Sequence, residues 1–122
     1  MQRSTKQRRA IQETLRSCAR PLSPKEIVDS AQEKGETLSL TTVYRCLKTL
    51  VEKGELASVD IPGQPARYEA AGLAHHHHFH CSTCDRLFDI PGCPTDVHSM
   101  APPGFVATHH ELILRGQCPS CL

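Results

Sequence analysis

The sequence predicts an α+β chain in two parts, with helices first and short strands after. Three observations predict it. Apolar residues recur at three- and four-residue spacing in three segments before Gly54. Beyond Gly54 the apolar residues come in brief alternating runs set off by Pro and Gly, the pattern of strands and turns. All eight His and five of the seven Cys lie after residue 74, leaving only Cys18 and Cys46 in the first part. The division expected from these signals is a first domain over residues 1–70, a hinge over 71–74 and a second domain over 75–122.

The first helix is expected over Thr5–Cys18, where Ala10, Ile11, Leu15 and Cys18 repeat on one face. Pro21 stops it, because the residue before a proline is pushed out of the helical region. Ser23 then caps a second helix, with Pro24 at its first position and Glu26 three residues after the cap, a capping box. Ile27, Val28 and Ala31 form its apolar face, and Gly35 ends it. A third helix starts at Ser39 or Thr41 and ends before Gly54. Val43, Leu47, Leu50 and Val51 are expected inside, leaving Thr42, Tyr44, Arg45, Lys48 and Thr49 on the other face. Leu56, Val59 and Ile61 suit a strand, Pro62-Gly63-Gln64-Pro65 a turn, and Ala66–Glu69 the return strand. Three helices followed by a hairpin is the order of a winged helix-turn-helix. In the second part His75–Cys81 and Leu87–Ile90 read as strands around a Cys81–Cys84 turn. Thr95–Met100 reads as one short helix and His109–Arg115 as a last strand, with Leu112 and Leu114 on one face.

Composition bounds what such a chain can be. At 122 residues, 39% hydrophobic and without Trp, it forms one domain or two very small ones, not a single large core. A charged fraction of 22% with scattered apolar residues excludes wholesale disorder. No apolar run approaches the roughly 18 residues of a membrane span, and no signal-peptide core follows Met1, so a soluble cytoplasmic protein with no membrane partner is expected. Cytoplasmic thiols stay reduced, and the Cys count is odd, so the cysteines point to metal rather than disulfides. The net charge of +1 conceals a basic start: Arg3, Lys6, Arg8, Arg9, Arg16 and Arg20 against Glu13 alone in the first twenty residues.

The strongest chemical signal is Cys81-x-x-Cys84 paired with Cys118-x-x-Cys121. Two intervening residues let both sulfurs of a turn reach one ion, and two such turns supply the four soft ligands of a structural zinc. The run His75–His78 with His80 is the second. Side chains alternate along a strand, so His76, His78 and His80 share one face while His75 and His77 share the other, and one segment feeds two sites. The polar face of the third helix beside a basic N-terminus suits DNA, with basic groups on phosphates and the helix face on base edges. An enzyme is not expected: no His-Glu-x-x-His motif occurs, and Glu69 is the only acid close before the His run. Zinc storage or metal delivery without DNA is the other rival, and zinc-dependent operator binding separates both from a regulator.

Taken together, Thr5-Lys-Gln-Arg8-Arg-Ala-Ile11, Leu40-Thr-Thr-Val-Tyr44-Arg45-Cys-Leu-Lys-Thr-Leu50, Arg67-Tyr68-Glu69, the His75–His78 run entering Cys81-x-x-Cys84, and His110 followed by Cys118-x-x-Cys121 resemble the ferric uptake regulator (Fur) family of bacterial metal sensors. The resemblance covers nearly the whole chain. It implies a winged-helix DNA-binding domain, a hinge and an α/β dimerisation domain, working as a homodimer on a palindromic double-stranded operator when loaded with a divalent metal. It implies structural Zn2+ on Cys81, Cys84, Cys118 and Cys121. It implies a regulatory site for Zn2+ or Fe2+ on Glu69, His76 and His78, and a second site on His75, His77 and His110. Asp96 stands at about the position of that second site's acid, with Cys93 and His98 as alternatives. Tyr44 and Arg45 match contacts of the recognition helix, flanked by Thr42 and Lys48. Arg3 falls near a basic residue that reaches the minor groove, and Arg8 lies in the same basic segment. Asp89 matches an acid that some members use in the regulatory site; a surface acid at a strand end is the alternative. Two departures bear on the metal. Pro21 stands where iron-sensing members usually place a His, and Ala70–Ala74 offers none of the Cys that zinc-sensing members often carry there. Zinc is therefore the expected effector of a metal-dependent repressor, with an iron- or peroxide-responsive regulator of the same family as the alternative.

Overall fold

The computed structural model describes residues 2–93 and 97–122, with side chains from Thr5 onward. The chain divides into two compact units, Met1–Leu73 and Ala74–Leu122. Asp96, named above for the second site, and Thr95, at the expected start of a short helix, lie outside the described residues, as does the side chain of Arg3. No described helix is long and apolar enough to cross a membrane.

The first unit holds α1 (Gln2–Cys18), α2 (Pro24–Glu33), α3 (Leu40–Glu52), β1 (Leu56–Val59) and β2 (Arg67–Ala70). The start of α2 is fixed locally. The Ser23 hydroxyl accepts from the Glu26 N–H at 3.2 Å, and the Ser23 N–H donates to the Glu26 carboxylate at 3.0 Å. Arg20 adds a 2.9 Å ion pair to the same carboxylate. Both later helices end in one device. Gly35 has φ +86°, Gly35 N–H bonds to Gln32 O, and Glu36 N–H to Ala31 O; Gly54 and Glu55 repeat the pattern on Val51 and Leu50. Glycine is needed there because an L side chain strains at that φ.

Ile11, Leu15, Leu22, Ile27, Ala31, Leu38, Val43, Cys46, Leu47, Leu50 and Leu56 form the core of this unit. One expectation fails here. Val51 is 37% exposed, and Cys46 points inward instead. At about 100° per residue the buried arc of α3 centres on Val43, Cys46, Leu47 and Leu50, and position 51 falls on its rim. β1 and β2 pair antiparallel, from Leu56 opposite Ala70 to Val59 opposite Arg67. Leu22 adds a short third rung on Tyr68, with two backbone hydrogen bonds of 3.0 and 2.8 Å. The hairpin turn is held by Arg67, buried, whose guanidinium donates to Gln64 Oε1 at 2.8 Å and Pro65 O at 3.1 Å. Three helices with this hairpin make a winged helix.

The second unit is a three-stranded sheet in the order β4-β3-β5, from β3 (His76–Cys81), β4 (Leu87–Pro91) and β5 (Ile113–Gly116). β3 runs antiparallel to β4 and parallel to β5. Gly116 allows the close approach of β5, since a Cβ there would stand 3.1 Å from the Phe79 ring. Val97–Met100 forms a 3₁₀ turn, where an ordinary helical segment was expected. The last strand is shorter than the expected His109–Arg115, and Leu114 is 48% exposed. β5 is an edge strand, and the unit has little apolar interior to receive that side chain. Among its described residues only Leu87, Cys81 and Cys118 are buried hydrophobics, alongside the buried imidazoles of His77 and His80.

Candidate metal centres and nucleic-acid face

The second unit collects donor atoms where a larger domain would place hydrocarbon. Cys81 ends β3, and the chain turns back at Asp85, whose N–H bonds to Cys81 O at 2.9 Å. Cys118 opens a 3₁₀ turn closed by Cys121 N–H on Cys118 O, also at 2.9 Å. The two turns face each other, and all four sulfurs lie within 4.8 Å of one another. Cys84 and Cys118 are 3.8 Å apart. Sulfurs about 2.3 Å from one tetrahedral ion stand about 3.8 Å apart, so this spacing fits zinc without rearrangement. All the cysteines are reduced.

The protonation of this set argues for a cation. Backbone N–H groups of Cys84 and Cys118 point at Cys81 Sγ, at 3.5 and 3.4 Å, and lower its thiol to about 6. The hydrogen bond with Cys118 and burial push Cys121 up to about 12. Cys81 is thus made the readiest thiolate of the set, and a cation shared among the sulfurs would offset the rise at Cys121. Asp85 adopts φ +66° in this turn, and its carboxylate meets His80 Nε2 at 2.6 Å. His80, expected on the face of His76 and His78, is spent on that contact, which braces the first Cys turn.

Along β3 the imidazoles alternate sides. On one side His76 and His78 stack edge-to-face with ring centroids 4.8 Å apart. Their Nε2 atoms lie 3.8 and 3.6 Å from Asp89 Oδ1, and Asp89 stands directly opposite His78 in the β3–β4 register. His76 Nδ1–H donates to Ala74 O at 2.8 Å, which orients the ring with Nε2 toward the carboxylate. Within the second unit these three groups converge. Glu69, assigned with His76 and His78 from the resemblance, belongs to β2 of the first unit.

On the other side His75, His77, Cys93 and His110 converge. His110 Nε2 lies 3.1 Å from His75 Nε2, 3.2 Å from His77 Nε2 and 2.9 Å from Cys93 Sγ; His77 Nε2 is 3.2 Å from the same sulfur. Burial and the neighbouring imidazoles His75 and His110 lower the basicity of His77, 2% exposed; burial, His75 and His98 lower that of His110. Both are thereby held neutral, the form that ligates metal. His98 Nε2 meets His110 Nδ1 at 2.8 Å and orients the ring from behind. Cys93, one of the alternatives to Asp96, is the fourth donor among the described residues; Asp96 itself lies outside them. His98, weighed above as a ligand, lies one bond farther out. No sequence spacing marks either, because the Pro- and Gly-rich chain between β4 and β5 follows no period.

In the first unit Ser39 caps α3, its hydroxyl accepting from the Thr42 N–H at 3.1 Å and donating to Thr42 Oγ1 at 2.9 Å. Thr42 is thus half-buried in the cap. Tyr44, 49% exposed, with Arg45 and Lys48, stands on the solvent face of α3 opposite the core residues. On α1, Lys6 and Arg9 are exposed, whereas Arg8 is half-buried.

A family model described as the ferric uptake regulator family matches residues 2–115. A ferric uptake regulation protein of Helicobacter pylori is 30% identical over 88 residues, which is 72% of this chain but 59% of that protein, so the match spans well under two thirds of this relative's length. A zinc uptake regulation protein of Mycobacterium tuberculosis is 28% identical over 122 residues, covering 98% of this chain and 94% of its own. Among solved structures, the ferric uptake regulator of Vibrio cholerae superposes with a TM-score of 0.72 at 26% identity, over 91% of this chain and 88% of that one.

Proposed function

The chain belongs to the ferric uptake regulator family, and from that premise we propose that it is a metal-dependent transcriptional repressor, not an enzyme, with zinc as its effector. The observation that carries this reading is the convergence of three donor sets in the second unit of a chain whose first unit is a winged helix with an exposed Tyr-Arg-Lys face. In this reading α3 lies in the major groove, with Tyr44 and Arg45 as its principal contacts. The domain division at 1–70, 71–74 and 75–122 follows from the same roles. Met100, Phe105 and Val106, at 81, 70 and 87% exposure, together with Leu114 leave an apolar surface on the second unit that suits a second copy of the chain. A homodimer presents two reading helices, which is what a palindromic operator requires.

Cys81, Cys84, Cys118 and Cys121 would hold zinc as a structural cross-link. The switch is assigned to Glu69, His76 and His78, with Asp89 beside the two imidazoles. Glu69 precedes the hinge segment 71–74 and the His pair follows it, so drawing these groups to one point restrains that segment. The ion supplies a cross-link that water cannot. Metal then favours the arrangement that fits DNA, and DNA reciprocally tightens metal binding. Zinc is supported by the end-to-end match with a zinc uptake regulation protein and by Pro21 in place of a further imidazole.

A specific observation favours a second reading. Two imidazoles and the Asp89 carboxylate are a donor set that also suits iron(II), which would make the chain iron- or peroxide-responsive. The test is a DNA-binding titration with zinc, iron(II), manganese and nickel in parallel under chelator-buffered conditions, on duplexes enriched from a random pool by the metal-loaded protein. Zinc is expected to promote binding at the lowest free concentration. Promotion by iron(II) alone moves the assignment to the second reading, and the absence of any metal-dependent binding overturns the repressor.

A further inference from the structure

We propose that Cys93 makes the set on His75, His77 and His110 a three-imidazole, one-thiolate site that selects a thiophilic tetrahedral cation such as zinc(II) over manganese(II) or iron(II). The inference deepens the reading above and rests on it, since it requires that this unit bind metal.

Four donors of two chemical kinds come together from three separate stretches of chain. His75 and His77 come from the entry to β3, Cys93 from beyond β4, and His110 from the segment leading to β5. His110 Nε2 stands 3.1 and 3.2 Å from the Nε2 atoms of His75 and His77, and the sulfur stands 2.9 Å from His110 Nε2 and 3.2 Å from His77 Nε2. Nitrogens about 2.0–2.1 Å from a tetrahedral zinc stand roughly 3.3 Å apart. The nitrogen spacing is therefore already close to the edge length of such a coordination sphere, and the sulfur needs only to draw back by a few tenths of an ångström toward the roughly 3.5 Å edge that a zinc–sulfur bond of about 2.3 Å sets. Imidazoles that turn Nε2 toward one another in this way cannot all donate hydrogen bonds among themselves. His110 has its other nitrogen engaged by His98 at 2.8 Å, which directs the Nε2 lone pair into the cluster. Lone pairs facing a common point are what a cation stabilises.

The donor set then decides which cation. Manganese(II) holds oxygen donors well and thiolate poorly, and lies at the weak end of the affinity order for such donors, with iron(II) next and zinc well above both. Among the described residues the set is a thiolate with three imidazoles, four soft-to-borderline donors. Zinc accepts that number without electronic penalty. The even-numbered face of the same strand, with Asp89 beside His76 and His78, offers the harder set. The two faces of β3 thus differ in metal preference, and Cys93 is the residue that separates them.

The test uses full-length protein whose four-thiolate set has been filled with one equivalent of zinc. Cobalt(II) is then added anaerobically. Sulfur-to-cobalt charge transfer absorbs in the near ultraviolet, and the set on His76, His78 and Asp89 contributes no sulfur to it. The wild type is expected to develop this band, and Cys93→Ser to lose it while keeping visible tetrahedral ligand-field absorption. In parallel, chelator competition should show the zinc-over-manganese preference of this site falling at least tenfold in Cys93→Asp, which substitutes an oxygen ligand. Cobalt bound without the band, or a band unchanged in Cys93→Ser, overturns the assignment of Cys93 while leaving the repressor reading intact. Cobalt that fails to bind at all beyond the zinc equivalent overturns both.

Discussion

Cys118→Ser is the most exacting perturbation of the second unit. Among its described residues the buried apolar ones are Leu87 and two of the cysteines themselves, so hydrocarbon burial stabilises it weakly. A fully buried Leu contributes about 2 kcal/mol. A four-thiolate zinc contributes on the order of 10 kcal/mol to the folding of a small domain, several times more. Cys118 also donates its N–H to Cys81 Sγ at 3.4 Å and stands 3.8 Å from Cys84, so its sulfur is central to the set. The substitution is expected to abolish stoichiometric zinc at this set, unfold Ala74–Leu122 and abolish the dimer, while α1–α3 keep their own core of Ile11, Ile27, Leu47 and their neighbours. Hydrogen exchange followed by mass spectrometry, with metal analysis of the same sample, reads both halves at once. β3–β5 should exchange as an unfolded chain and α1–α3 should remain protected. A dimeric Cys118→Ser protein that holds no zinc yet protects β3–β5 would refute the reasoning.

Three further perturbations separate the remaining roles. Tyr44→Ala and Arg45→Ala should each weaken operator binding by about 1–3 kcal/mol at unchanged metal content, and Arg45→Ala should flatten the salt dependence if it contacts phosphate; unchanged affinity in both removes α3 as the reader. His76→Ala, His78→Ala and Glu69→Ala should fold and keep the four-thiolate zinc but lose metal-stimulated DNA binding, whereas His77→Ala should chiefly lose second-site metal. Indistinguishable stoichiometry and DNA binding in His76→Ala and His77→Ala would refute the two-sided strand. His98→Ala, which removes the 2.8 Å contact behind His110, should weaken second-site metal roughly 10–100-fold in chelator competition while leaving the four-thiolate set untouched; an unchanged affinity would show that His98 does not orient the ring.

Several of these features were legible before any coordinates, and they share a cause. The Ser23–Glu26 capping box closes over three residues, and each Cys-x-x-Cys turn over as many, so the groups involved reach one another whatever the rest of the chain does. The alternation of His75 and His77 against His76 and His78 needs only that the segment be a strand. The helical faces of α1 and α2 follow from the 3.6-residue period, and that of α3 departs from it only at Val51, on the rim of the buried arc.

By itself, then, the sequence determined the local devices of this protein: caps, helix faces, the tight Cys turns and the two sides of the His strand, all set by bonds and periods within a few residues. The tertiary structure decided which distant groups complete each set. Asp89 meets His78 only because β4 pairs with β3 in one particular register. His80 is drawn to Asp85 rather than to its neighbours on the strand. Cys93 reaches His77 across sixteen positions and His110 across seventeen, through a Pro- and Gly-rich segment with no periodicity to read. Such contacts are fixed by strand register and loop path, which depend on the whole unit folding at once, so no short window of sequence carries them.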